Sequence, residues 1–125
     1  MKITQVRRGG ASGHQRSVQI KRKTDKYISE CMRRQECINI LYKTTHDRAI
    51  DQSCTLETLV FNIGELSNLK CHLDHYIGEN EEFYEEYVSA DEAKMVNETN
   101  HDFTIKYMDF MNKLQIQADI LRQHS

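Results

Sequence analysis

The side chains best suited to chemistry fall on two short stretches. Cys71, His72, His75 and Glu79 lie within nine residues, with His75 four positions after Cys71 and four before Glu79. Residues four apart share a face of a helix, so either pair has the spacing of a two-ligand metal clip. Glu98-Thr99-Asn100-His101 supplies a Glu-x-x-His unit, which di-iron helical bundles use twice together with two further inward glutamates. This chain holds the unit once. The apolar stripe of Leu66, Leu73 and Ile77 also places His75 on the opposite, wet face of its helix. A solvated helix face is the expectation there, and no metal or other cofactor is expected.

Cys71 beside a histidine has the makings of a thiol nucleophile. Such a pair needs a cleft, a third orienting group and a lowered thiol pKa, none of which a sequence displays. Cys31, Cys37, Cys54 and Cys71 form no CxxC and no zinc-like spacing, and reduced thiols in a cytoplasmic setting are expected. No glycine-rich phosphate loop and no Gly-x-Ser-x-Gly elbow occurs. The expected class is therefore not an enzyme.

Charge is distributed unevenly along the 125 residues. Residues 1–26 carry eight cations against Asp25 alone, a net +7, and the remaining 99 residues carry −9. This divides the chain into a basic, glycine-containing arm, residues 1–23, and a helical domain, residues 24–125. Arg7, Arg8, Arg16, Lys21, Arg22 and Lys23 could neutralise phosphates or an acidic partner. Alternatively the arm folds back onto the acidic helices. Gly9, Gly10 and Gly13 suggest a flexible stretch, flanked by β-capable pieces at residues 3–7 and 17–21 that could pair as a marginal hairpin.

The elements that would position these groups are helical. Proline is absent and glycine scarce, which favours long uninterrupted helices. The first helix is expected over residues 24–44, capped by Thr24 or Asp25, with Ile28, Cys31, Met32, Ile38, Leu41 and Tyr42 on its apolar face. Residues 45–53 read as a loop or short turn. The second helix carries Leu56, Leu59, Val60, Ile63, Leu66, Leu73, Tyr76 and Ile77 and is expected to end at Gly78, in the left-handed conformation common there. A short acidic helix follows, with Phe83, Tyr84, Tyr87 and Val88 among Glu81, Glu82, Glu85 and Glu86.

Ser89-Ala90-Asp91-Glu92 is a capping box that starts the last helix. From residue 90 to residue 122 it would span about 50 Å, against about 33 Å for the second. That mismatch, with polar residues 97–101, predicts either a break capped by Thr99 or Asn100 or an overhang paired with a second copy.

The expected fold is all-α, a three- or four-helix bundle with a basic N-terminal segment. Its expected core is Leu59, Ile63, Leu66, Leu73, Phe103, Phe110 and Leu114. No apolar stretch approaches the length of a membrane span. The expected function is a protein–protein interaction module, an adaptor, regulator or assembly subunit, with nucleic-acid binding through the arm as the alternative. Glu81, Tyr84, Glu85, Met108 and Met111 form the expected partner surface, and Met108, Met111 and Ile116 favour a homodimer.

Overall fold

In a computed structural model that describes residues 9–124, three helices account for nearly the whole chain. They are α1 (Gly9–Ile50), α2 (Leu56–Tyr87) and α3 (Ala90–Gln123), packed together as a three-helix bundle. Two short connections force consecutive helices to run antiparallel.

Each helix buries residues in a seven-residue rhythm. Thr24, Cys31, Ile38 and Thr45 are buried on α1, Leu59, Leu66 and Leu73 on α2, and Phe103 and Phe110 on α3. A strict repeat of seven keeps one seam facing the partners when helices wind gently around one another. Six of the seven expected core residues are buried, and Ile63 is half-buried. Met32 turns out to solvent, and Tyr27 takes its place on the buried face of α1.

The boundaries differ from expectation in ways that packing explains. Of residues 45–53, expected as a loop or short turn, residues 45–50 are helical, because Thr45 and Ala49 are buried and carry α1 on to Ile50, and only residues 51–53 belong to the connection. Gly78 does not end α2; the helix continues so that Tyr84 can seat against Tyr27, with ring centroids 4.8 Å apart. The separate acidic helix is thus the last part of α2. Once α2 is 32 residues long it matches the 34 of α3, and the length mismatch disappears. Neither Thr99 nor Asn100 breaks α3, since the Thr99 hydroxyl donates back to the Met95 carbonyl at 3.0 Å within a continuous helix.

At the other end, α1 begins at Gly9, so residues 17–21 are helical and form no hairpin strand. Adding a residue to an existing helix gains one hydrogen bond per residue fixed, which tolerates glycines once the packed part has nucleated it. The other half of the suggested hairpin, residues 3–7, lies outside the described residues. Within residues 9–23, what sets the basic segment apart is its charge, since α1 crosses residue 23 without interruption.

The caps are specific. The Ser89 hydroxyl accepts from the Glu92 amide at 3.1 Å, as the capping box requires, and Thr55 accepts from the Thr58 amide at 3.1 Å. α1 ends with Gln52 in the left-handed region (φ 58°) and the Ser53 amide bonded to the Arg48 carbonyl at 2.9 Å. That is the Schellman pattern with a residue other than glycine in the strained position. Gln52→Gly is expected to raise the unfolding free energy by about 0.5–1 kcal/mol in urea denaturation, because glycine meets no steric penalty there.

The interior has two apolar parts with a polar layer between them. The larger groups Ile38, Leu59, Leu66, Leu73, Phe103, Phe110 and Leu114; the smaller groups Tyr27, Cys31, Tyr84 and Ala93. Between them, Gln35 Nε2 donates to Asn100 Oδ1 at 2.8 Å. Asn100 therefore occupies an inward position by pairing across the bundle, which is how a polar residue on a seam selects one register.

Candidate functional site

Two surfaces stand out, one over α1 and α2 and one over α2 and α3. Their placement follows from the register. Lys70 Nζ sits 5.5 Å from the Tyr107 ring centre, and the Asn97 amide donates to Glu85 at 2.7 Å. Lys70, the odd charged member of the stripe Leu56, Ile63, Lys70 and Ile77, is only 8% exposed. Its Nζ reaches out to Asp74, at 2.7 Å, while its methylenes fill the seam.

The first surface is a groove where the basic part of α1 crosses the aromatic end of α2. One cavity of about 340 Å³ is lined by Lys23, Lys26, Tyr27, Tyr76, Asn80 and Phe83. A second of about 180 Å³, sharing Lys23 and Phe83, adds Arg16, Gln19, Ile20 and Tyr87. Lys23 Nζ lies 5.2 Å over the Phe83 ring, and Phe83 and Tyr87 are tilted rings 4.8 Å apart. No carboxylate lines either cavity. Beneath it, burial raises the phenol pKa of Tyr27, Tyr76 and Tyr84 above the ordinary value, so these rings stay neutral.

The six cations singled out in the arm are thereby separated. Arg16 and Lys23, seven residues apart, share the groove. Lys21 instead pairs with Asp25 at 3.1 Å, and Arg22 lines a different, shallow concavity with Gln15, Val18 and Gln19. Arg7 and Arg8 lie outside the described residues. Lys26, Phe83 and Tyr87 were not anticipated as a shared surface. The only hint in the sequence was the seven-residue spacing of Arg16 and Lys23 with Ile20 between them.

The second surface covers the outer side of α2 and α3. Antiparallel register places Gly64 level with Met111, and Val60 and Phe61 level with Ile116. Met108 and Phe61 are each 64% exposed, Ile105 is 56% exposed and Val60 is also exposed, whereas Met111 is half-buried against the core. A Cβ built on Gly64 would meet nothing within 4 Å, so Gly64 faces open space. Phe61, Gly64 and Ile105 are the members that sequence reasoning missed, since each lies off the apolar stripe of its helix.

The remaining expected partner residues divide. Tyr84 is not a surface residue: it is 1% exposed, packed beneath the groove. Glu81 is half-buried and Glu85 is held by Asn97, about 16–20 Å along the bundle from Met108 and Met111 at 1.5 Å per residue.

The chemistry-bearing residues are dispersed. His75 and Glu79 form an exposed pair at 3.3 Å. Glu98 and His101 line a concavity of about 610 Å³, but seven of its eight lining residues come from α3, so it has no opposing wall. Among the described residues no three His, Cys, Asp or Glu side chains converge to hold a metal ion. Cys31 is buried, and burial pushes its thiol pKa up, away from nucleophilic character. No described helix is long and apolar enough to cross a membrane. No known protein family, curated protein or solved structure matches the chain.

Proposed function

We propose that this chain is a non-enzymatic helical interaction module that docks through the outer face of α2 and α3, and that the protein it docks there is a second copy of itself. The observation that carries this reading is the exposure of large apolar side chains on both helices of this face, Val60 and Phe61 on α2 and Ile105 and Met108 on α3. Single exposed apolar residues are ordinary on soluble proteins; four large ones on two neighbouring helices are the material of a contact surface.

Charge supports self-association at this end of the bundle. Over residues 57–71 of α2 and 105–116 of α3, the charges of Glu57, Glu65 and Asp109 balance those of Lys70, Lys106 and Lys113. Residues 72–98, by contrast, hold nine carboxylates and only Lys94. Two copies can therefore approach over the neutral apolar region, whereas the acidic stretch repels its like.

Sedimentation equilibrium from micromolar to sub-millimolar concentration tests the proposal. The expected result is a monomer–dimer equilibrium, with Met108→Glu or Phe61→Glu raising the dissociation constant at least about tenfold, or about 1.4 kcal/mol. A charge desolvated without a partner carries at least that penalty. Both side chains are largely exposed in the monomer, so the fold tolerates either change. A monomer throughout the range, or unchanged association in both variants, would overturn self-docking.

A further inference from the structure

We infer that the groove between α1 and α2 is a docking site for an acidic linear peptide with an aromatic or aliphatic anchor. This surface is separate from the α2–α3 face and does not depend on it.

The argument starts from the cations. Arg16, Lys23 and Lys26 line the two adjoining cavities; none forms an ion pair among the described residues, although carboxylates abound on the same chain. Neighbours do pair where geometry permits, as Lys21 does with Asp25. Lys23 rests instead on the face of Phe83, an arrangement that leaves its ammonium free to meet an incoming anion.

The floor supplies the second half of the recognition chemistry. Tyr76, Phe83 and Tyr87 present aromatic surface along three turns of α2, and Tyr87 is 38% exposed. A cavity near 340 Å³ is at the small end of ligand pockets, suited to one or two side chains of a peptide. Cations on one wall and rings on the floor match a segment that alternates carboxylates with a hydrophobic anchor.

A single-stranded nucleic acid would use the same two elements, rings for stacking and cations for phosphates. Its charge is spaced evenly along the strand, however. The exposed carboxylates of Glu82 and Glu86 lie on the same turns of α2 as Phe83 and Tyr87. A peptide can place its few carboxylates over α1 alone, whereas a phosphate backbone crossing the groove meets those acids. The observations therefore favour the peptide.

The test is fluorescence anisotropy on the full chain with a labelled peptide of aspartates around one phenylalanine. Its companions are the same peptide with serine for phenylalanine and a labelled oligothymidylate. The expected result is saturable binding of the first peptide that weakens with added salt, and weaker binding of the serine form. The Arg16→Glu, Lys26→Glu double variant should bind at least about tenfold more weakly, because it removes two attractions and adds two repulsions. Both side chains are exposed, so circular dichroism should show the double variant folded. Absence of binding at millimolar peptide, equal binding by the double variant, equal binding of the serine peptide, or tighter binding of the oligothymidylate would each overturn the proposal.

Discussion

Leu66→Ala is expected to lower the free energy of unfolding by about 3–5 kcal/mol, and Phe110→Ala by a similar amount. Leu66 is fully buried at the centre of the larger apolar cluster, where all three helices contribute side chains. Phe110 stacks face to face on Tyr42 of α1, with ring centroids 3.8 Å apart and planes within 3°. Removing either side chain loses its transfer energy and leaves a cavity that long, stiff helices close poorly. Domains of this size have only about 5–15 kcal/mol in hand, so each variant should denature at clearly lower urea concentration. A loss below about 1 kcal/mol at both positions would mean that the buried faces of α2 and α3 are wrongly assigned.

Tyr84 separates a core residue from a surface one more sharply still. Were it the exposed contact residue that its acidic neighbours suggest, truncation would change stability by no more than about 0.5 kcal/mol. Buried against Tyr27 and within the cluster of Cys31 and Ala93, it should instead cost about 3–5 kcal/mol as Tyr84→Ala. Tyr84→Phe gives the complementary result. The Tyr84 hydroxyl is buried without a hydrogen-bond partner, so its removal relieves a desolvation penalty. The variant should be as stable as the parent or more stable by up to about 1 kcal/mol. Urea denaturation of both variants checks the pair; a stability loss in Tyr84→Phe comparable to that in Tyr84→Ala would show that the hydroxyl, not the ring, matters.

The polar layer shows why some of the candidate site was hidden. Asn100 reads as a misfit in the apolar rhythm of α3, and taken alone it suggests a break. The element that removes the misfit is Gln35, sixty-five residues away, whose amide reaches the Asn100 oxygen. No local pattern connects the two. Lys70 is parallel in part: its place in the stripe and Asp74 four residues on are legible, but the Tyr107 ring beneath its Nζ comes from another helix. The groove over α1 and α2 is of the same kind, since Lys23 and Phe83 come together only when the first and second helices pack.

By itself the sequence determined that the chain is helical, where α3 starts, and most of the larger core. Seven-residue periodicity, a capping box and the absence of proline are local properties, and they act through hydrogen bonds and burial within a few turns. Only the tertiary structure decided where α1 and α2 end, because those boundaries depend on burial. Gly78 permits a helix to stop, but Tyr84 seating on Tyr27 makes continuation worth more than stopping. It likewise decided that the aromatic residues of the acidic stretch divide, with Tyr84 inward and Phe83 and Tyr87 along the groove. Residues one turn apart on a helix differ in surroundings only when a second helix is laid against one of them.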